Sequence, residues 1–420
     1  MSDRPHIFDL DPASLRDVVT DAGLPAFRAK QVLDRVYRPG VAATAMMRNF
    51  SKRDRDVLGD CLRFMSCDVL RDQHASDGVR KLLVQWRGDN ESPDDATTRP
   101  QSRLGGSLAL PVPYASHSLP APDTSRQTEC VMIPVESDTS SRRTACISSQ
   151  VGCPVGCRFC ASGLGGLDRN LSAGQIVEQV WLLGCEEVGS GQWAVGGDSN
   201  SGTHRDAPHA PHPTAHVLRI TNVVFMGMGE PLSNYANVIR AVRTLTAEWA
   251  FNLSSRKVTI STVGLPAQMR RLADEQIPAT LAISLHAPND EIRRRLIPWA
   301  EHVTIEQLID AGRYYFDRTG REVTIEYTLM RHVNDRPEHA RELARVCRQL
   351  RSNVNLIRYN EVDSLPYGRP SDDDVLAFQK VLRQAGVNTH IRASRGRDIA
   401  AACGQLRHEA TAAGATSRSG

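Results

Sequence analysis

Apolar residues recur at two spacings along this chain, and the spacing changes with position. Near the N-terminus, Pro25-Ala26-Phe27-Arg28-Ala29-Lys30-Gln31-Val32-Leu33 repeats at the helical period, and Asn49-Phe50-Ser51 sets up a cap before a charged helix. Residues 12–60 therefore read as a small helical unit. Arg80–Trp86 reads as a strand, and a strand resumes at Glu129–Ile133. From about residue 142 strands and helices alternate. The strand segments are Thr144–Ser148, Val217–Phe225, Lys257–Ser261, Thr280–Leu285, Glu322–Leu329 and Val354–Tyr359. The helical segments are Ser172–Gly184, Tyr235–Glu248, Pro266–Glu275, Thr304–Thr319, Pro337–Leu350 and Asp372–Ala385. Six strands with helical crossovers predict an α/β fold, a parallel sheet closed or partly closed as a (β/α)6 TIM-like barrel.

Two stretches break the pattern. Residues 88–127 are polar and Pro/Ser-rich and read as a mobile insertion. Residues 189–216 are rich in Gly, Pro and His and read as a surface loop; His204, His209, His212 and His216 lie in or beside it without a specific metal role. The tail after Arg407 is small and polar, as disordered termini are. The expected organisation is a helical N-terminal accessory domain (1–75), linking strands with the polar insertion (76–141), the partial barrel (142–395) and a C-terminal segment (396–420).

Composition narrows the class. The chain has 420 residues, 40% of them hydrophobic and 24% charged, which is ordinary for a globular protein with a substantial core. A net charge of +3 does not by itself announce a nucleic-acid binder. The opening MSDRPHIFDLD lacks the apolar stretch of a signal peptide, and no apolar run reaches membrane-spanning length. A cytoplasmic protein with reduced thiols and no membrane partner is the expectation.

That expectation makes one cluster of thiols informative. In CISSQVGCPVGCRFCASG, residues 146–163, Cys153, Cys157 and Cys160 follow a C-x3-C-x2-C spacing. Three thiolates suit a soft metal centre. A structural zinc and a fully cysteine-held iron–sulfur cluster each take four ligands, and neither Cys146 nor Cys185 sits at a typical fourth-ligand spacing. A cubane held by three cysteines keeps one open iron, where a substrate or cofactor binds. The trio follows the first barrel strand, at the mouth where such barrels carry their chemistry. A zinc knuckle completed from elsewhere is the alternative on these residues alone.

The spacing, with Phe159 before the last cysteine, resembles the radical S-adenosylmethionine (SAM) superfamily over roughly residues 140–400. The resemblance implies one 4Fe-4S cluster on Cys153, Cys157 and Cys160, whose open iron chelates SAM. Met226-Gly227-Met228-Gly229-Glu230-Pro231 looks like the superfamily's motif for the SAM amino group. With SSQVGC, ISLHAPND, AACGQL, and FRAKQVLDRVY and SDGVRKLLVQ nearer the N-terminus, the chain is similar almost throughout to the dual-specificity 23S rRNA/tRNA adenine-C2 methyltransferase family, RlmN, which has adenine-C8 relatives.

This resemblance assigns roles. Cys403 accepts a methyl group as S-methylcysteine, Glu129 accepts a proton, and Cys146 resolves a protein–RNA adduct through a transient disulfide with Cys403. Gly229, Glu230, Ser261, Ser284, Leu285, His286 and Asn360 match SAM-contacting positions. Two SAM molecules serve each turnover, one as methyl donor and one as radical source. The implied partners are 23S rRNA, tRNA and a reducing donor such as flavodoxin, with the chain working as a monomer. The thiol carrier has a chemical reason: adenine C2 is electron-poor, whereas sulfur is a good nucleophile for an electrophilic methyl.

Some readings stay open on the residues. Glu129 is also readable as an exposed strand-end carboxylate. Cys61, Cys67, Cys130, Cys185 and Cys347 match no motif and read as packing residues. Arg142-Arg143, Arg293-Arg294-Arg295 and Arg395/Arg397 are placed for phosphate contacts, though solvated helix faces explain arginine runs equally well. The alternatives in function are an adenine-C8 methyltransferase and a non-catalytic zinc module that binds RNA.

Overall fold

The computed structural model describes residues 4–38, 40–41, 43–87, 126–137, 140–185 and 219–406. The polar stretch up to residue 125, the Gly/Pro/His stretch with its four histidines, and the tail from 407 lie outside them.

The chain opens with three helices, α1 (Pro12–Asp21), α2 (Phe27–Tyr37) and α3 (Lys52–Cys61). Asp11 caps α1 by accepting from Ser14 N–H at 2.7 Å, with Pro12 at the first helical position. Ser51 caps α3 by accepting from Asp54 N–H at 3.1 Å. Four strands follow: β1 (Cys67–His74), β2 (Arg80–Trp86), β3 (Gln127–Ser137) and β4 (Ser140–Cys146), each antiparallel to the one before. A short hairpin of β5 (Gln150–Gly152) and β6 (Leu167–Asn170) comes next, then α4 (Ala173–Gly184).

The remaining chain alternates. In order come β7 (Asn222–Phe225), α5 (Tyr235–Thr246), β8 (Val258–Thr262), α6 (Pro266–Asp274), β9 (Thr280–Ser284), α7 (Asp290–Leu296) and α8 (Ile305–Thr319). Then come β10 (Val323–Leu329), α9 (Pro337–Cys347), β11 (Ser352–Arg358), α10 (Asp372–Gln384) and β12 (Thr389–Arg392). The six strands expected from the sequence are β4, β7, β8, β9, β10 and β11, all parallel neighbours in one sheet. β12 adds a seventh parallel strand beyond β11, and β1 ends the opposite edge. The sheet order runs β1-β2-β3-β4-β7-β8-β9-β10-β11-β12 and does not close, so the barrel is partial. β1, α7, β12 and the β5–β6 hairpin are elements the sequence pattern did not single out.

Period two sorts the barrel strands. Val258 and Ile260 of β8, Leu281 and Ile283 of β9, and Val323, Ile325, Tyr327 and Leu329 of β10 all enter the main apolar core. Their alternates, Ser261, Ser284, Glu326 and Thr328, line the barrel interior instead. A strand such as β10 is buried along its whole length, yet three of its seven residues are polar. Such a lining is stable only if those groups are bonded or meet a ligand.

The helical unit docks on the outside of α4. Phe8 packs on Trp181 with ring centroids 6.0 Å apart, and Trp181 Nε1 donates to the Val36 carbonyl at 2.8 Å. Glu178 of α4 is fully buried at this contact. Its carboxylate accepts from Ser66 N–H at 2.9 Å, from Ser66 Oγ and from the Cys67 thiol, and lies 3.3 Å from His6 Nε2. Burial alone would push its pKa up; the His6 and Ser66 interactions outweigh that and hold it below the ordinary 4.5. Folding therefore favours the anion. The contribution is present above the ordinary carboxylate range and is lost as pH falls through the depressed value. We expect Glu178→Ala to lower the unfolding free energy by about 3 kcal/mol at neutral pH, because it leaves buried donors unpaired. In urea titrations the gap to wild type should narrow below about pH 4. An unchanged midpoint at neutral pH would mean that the aromatic contacts carry the docking without this carboxylate.

Candidate active site

The cysteine loop is clamped at its base. Cys153 N–H donates to the Gly166 carbonyl at 2.7 Å, closing the β5–β6 hairpin around residues 153–166. The approach is tight at Gly152, whose φ is +76° and where an added Cβ would lie 2.0 Å from the Gly166 oxygen. Within the loop, Phe159 and Val155 sink into a small apolar cluster with Ile292, Leu296 and Ile297, and the three cysteines pack against it. Cys153, Cys157 and Cys160 all line one cavity at the barrel mouth.

The ends of β7, β8 and β9 supply the facing wall. Gly229, Glu230, Ser261, Ser284 and His286 line the same cavity, as their sequence motifs anticipated. Gly229 adopts φ +103°, and a Cβ there would meet Gln150 Cβ and Ser149 Oγ at 2.7 Å, so only glycine lets this turn pass. Glu230 is buried, and its two oxygens accept from Leu232 N–H at 3.0 Å and Val263 N–H at 2.7 Å. Burial still pushes its pKa up to about 7. Ser261 and Ser284 face each other with hydroxyl oxygens 3.1 Å apart. His286 has φ +53°, and its Nδ1 accepts from Thr328 N–H at 3.0 Å, leaving Nε2 to carry the ring proton. Burial drives its pKa down to about 3, with Arg293 adding to the effect, so the ring is neutral at physiological pH.

A C-terminal strap crosses the open side of the barrel and delivers Cys403. Its polar ties run to the β1–β2 turn, where Gly396 N–H donates to Asp77 and Ser76 N–H to Asp398, at 3.0 and 2.9 Å. They run also to the cysteine loop, where Ala161 N–H donates to the Gly404 carbonyl at 2.9 Å and Ser162 Oγ to the Leu406 carbonyl at 2.6 Å. Cys403 is half-buried and lines the cavity with the cysteine trio.

The other expected residues stand one layer out. Asn360 is buried behind the strap, and its Nδ2 donates to the Cys403 carbonyl at 3.2 Å. Leu285 turns its side chain into the core; its N–H donates to the Glu326 carbonyl at 3.1 Å. Cys146, the last residue of β4, packs with Met228, Ala401 and Leu406 beneath the strap. Burial pushes its thiol up to about 12, with Cys403 as the leading charged neighbour. All ten cysteines are free, so the disulfide between Cys146 and Cys403 that the resemblance suggested is not formed in this structure. Glu129 is not the exposed carboxylate its strand-end position allowed. It is buried within β3, with Oε1 2.8 Å from Lys81 Nζ, outside the cavity wall.

One expectation about arginines needs revision. Arg293 is fully buried and cannot reach an RNA phosphate, unlike exposed Arg295 and Arg397. Conversely, Arg392 and Glu326 line the cavity and were missed. Glu326 accepts from Asn355 Nδ2 at 2.9 Å, while its other oxygen has no hydrogen-bond partner. The signal existed in Val323-Thr-Ile-Glu-Tyr-Thr-Leu329, where alternation sets an acid on the polar face of a strand. Arg392 ends a strand whose pattern was too short to notice.

The donor set fits an iron–sulfur cluster better than one ion. Among the described residues, no three His, Cys, Asp or Glu side chains converge on a single-ion site. A cubane spreads three thiolates over three different irons, so convergence is not required. Burial raises all three thiols, Cys153 to about 12, so a cationic centre is what would deprotonate them together.

A cysteine trio and a ring of strand-end polar groups at the mouth of a partial barrel define a radical SAM enzyme. The Radical SAM superfamily model matches residues 214–344, and the model of the ribosomal RNA large subunit methyltransferase N-terminal domain matches residues 6–63. A Salinibacter ruber protein described as "Probable dual-specificity RNA methyltransferase RlmN" is 38% identical, covering 97% of this chain and 95% of its own. A protein of the same description from Thermosynechococcus vestitus is 37% identical, covering 94% and 96%. The crystal structure of a radical SAM methyltransferase from Sphaerobacter thermophilus superposes with a TM-score of 0.76 at 36% identity, covering 96% of this chain and 99% of that one. The chain belongs to the RlmN family of radical SAM RNA methyltransferases, which work with a 4Fe-4S cluster and SAM. Among the described residues no helix is long and apolar enough to cross a membrane.

The raised value at Glu230 gives a pH signature. An ammonium group binds the carboxylate, not the acid, so if Glu230 holds the SAM ammonium as the resemblance implies, SAM affinity should weaken as pH falls through about 7. Equilibrium dialysis with reconstituted enzyme between about pH 6 and 8 should show this slope, flattened in Glu230→Gln. A slope that survives Glu230→Gln would assign the titration to another group. Independently, Gly229→Ala should weaken SAM binding at least about tenfold, since the added methyl overlaps the turn at a left-handed φ.

Proposed function

We propose that this enzyme methylates C2 of adenine in 23S rRNA and in tRNA, with Cys403 as the methyl-accepting thiol. The observation that carries the reading is the shared cavity. Cys403 and the three cysteines of the loop line one wall-to-wall pocket, tied by the bond from Ala161 to Gly404.

Cys153, Cys157 and Cys160 would hold the cluster. Glu230 would accept hydrogen bonds from the SAM ammonium, with Gly229, Ser261, Ser284 and His286 completing that wall and Leu285 and Asn360 supporting it through their neighbours. When bound, the cluster and SAM supply an electrophilic methyl group and a hydrogen-abstracting 5′-deoxyadenosyl radical.

The chain's residues do the rest. Cys403 takes the methyl on sulfur, because a thiolate is nucleophilic and adenine C2 is not. Arg392, whose charge is favoured first by Cys403, offers a cation beside that sulfur. The S-methyl group would give up one hydrogen atom to the 5′-deoxyadenosyl radical, and the carbon left on sulfur would then bond to C2, linking protein and RNA. Glu129, held by Lys81 outside the cavity wall, would have to leave that pair and turn inward to accept the proton that C2 loses. Cys146, which packs with Ala401 and Leu406 beneath the strap, would release the product by bonding to the Cys403 sulfur as the sulfur–carbon bond breaks, its electron pair passing to the product carbon, which takes up a proton. The base must leave its stack to reach this depth. Exposed Arg295 and Arg397 near the mouth are suited to phosphate contacts. A low-potential reducing protein such as flavodoxin supplies the electron, and the enzyme acts as a cytoplasmic monomer.

Nucleoside mass spectrometry of RNA treated with the reconstituted enzyme should yield 2-methyladenosine. A product consisting only of 8-methyladenosine would move the enzyme to the C8 branch. Cys403→Ala should retain iron and cleave SAM, yet transfer no methyl to RNA. Cys146→Ala should accumulate a protein–RNA crosslink visible on denaturing gels. Normal methylation by Cys403→Ala would end the thiol-carrier mechanism for this chain.

A further inference from the structure

Arg293 lies on the buried side of α7, and its side chain is withdrawn from solvent. Its Nη1 donates to the Val303 carbonyl at 3.2 Å and its Nη2 to the Val263 carbonyl, while Nε has no partner. No described carboxylate forms an ion pair with it. Asp290, on the same helix, accepts from the Ile305 N–H with one carboxylate oxygen at 2.8 Å. A buried cation held by carbonyls alone is costly unless an anion answers it nearby.

The cysteine loop packs against the helix that carries Arg293. Ile292 and Leu296, flanking Arg293, pack in the apolar cluster against which Cys153, Cys157 and Cys160 rest. Arg158 N–H, one residue past Cys157, donates to the Leu296 carbonyl at 2.9 Å, which ties the cysteine loop to the helix. Burial lowers the Arg293 guanidinium to about 10, and Cys157 is the first group opposing that shift, ahead of Asp290. The cation remains charged at neutral pH. Its fixed place is set by Val263, whose N–H is given to Glu230 and whose carbonyl takes Arg293.

We infer that Arg293 is the buried counter-charge of the three-cysteine centre and sets the reduction potential of the cluster held there. Three thiolates make the oxidised cluster anionic, and a one-electron donor adds one more negative charge with no bond made or broken. A fixed cation in a low-dielectric wall stabilises the reduced state more than the oxidised one. Arg293 is thus a positioning residue that acts through the cluster and touches no substrate. The inference rests on the cluster-holding role proposed above for the cysteines.

The test is a redox titration of reconstituted holoenzyme, followed by electron paramagnetic resonance, for wild type, Arg293→Lys and Arg293→Met. At a fixed potential near the wild-type midpoint, Arg293→Met should show a roughly tenfold lower ratio of reduced to oxidised cluster, a shift of about 59 mV to more negative potential for one electron. Arg293→Lys, which keeps the charge, should stay near wild type. A midpoint unchanged in Arg293→Met at full iron content overturns the inference. If Arg293→Met retains no iron, Arg293→Lys decides: iron recovered by lysine assigns the effect to charge and supports the inference. Equal loss in both variants assigns it to the carbonyl tether and overturns it. Iron content and potential do not depend on the RNA product, so a wrong choice of base or ring carbon leaves this result intact. A wild-type protein that takes up no iron would instead remove the reading beneath it.

Discussion

One backbone contact joins the two ends of the barrel at this active site: the Ala161 N–H bonded to the Gly404 carbonyl. It joins a loop that follows the first barrel strand to a strap that follows the last. Between them lies nearly the whole barrel, so the entropy of closing that loop is paid by the folded barrel itself. A single hydrogen bond contributes only about 1 kcal/mol. The strap is therefore distributed over anchors on the β1–β2 turn, the end of β11 and the cysteine loop. Cys403 gains a defined position because both ends of its segment are pinned, not because it is deeply packed. A reacting thiol needs that combination of fixed backbone and accessible sulfur.

The barrel supplies the second constraint. Parallel strands buried on both faces have no solvent side, so every polar residue on them must be bonded or must face a cavity. Here the outward alternates build the apolar core and the inward ones build the site. The same dehydration that consolidates the core acts on the site's ionisable groups. It raises the cysteine trio and Glu230 and lowers His286. The three thiols and His286 are therefore neutral at physiological pH, Glu230 stands near the middle of its titration, and Arg392 is the standing cation of the wall.

How far the sequence revealed this followed from the range of the interactions. Period-two and period-three-to-four patterns report burial of one face, and they located α4, α5, α6, α8, α9 and α10 within a few residues of their observed ends. Caps such as Ser172 and Thr304, each in a reciprocal box with a glutamine three residues on, are local and legible. Short elements were not: α7 and β12 are too brief for periodicity to stand out, and both carry arginines that matter. The cysteine trio, the GMGEP turn and Cys403 were legible because motif chemistry is dense. What Glu129 meets was not, since Lys81 is a cross-strand neighbour brought in by β2 pairing with β3. The burial of Arg293 was equally hidden, because three consecutive arginines look alike until the helix phase is known.

Buried charges in this protein differ in how completely they are answered, and the difference follows position. Glu178, behind α4, meets donors from His6, Ser66 and Cys67, and its anion is stabilised below the ordinary range. It needs nothing more, and it serves as a joint between the helical unit and the barrel. Glu230 has two backbone donors and is still pushed up. Glu326 has one hydrogen-bond donor and the Arg392 guanidinium 3.9 Å from its other oxygen, and burial raises it too. Arg293 has two carbonyls and a bare Nε. The incompletely answered groups stand at the cavity or beside its cysteine loop, whereas Glu178 and the Glu129–Lys81 pair stand outside the cavity wall. A fold that can satisfy Glu178 with four groups is able to satisfy carboxylates; leaving others short concentrates the remaining electrostatic demand where ligands arrive.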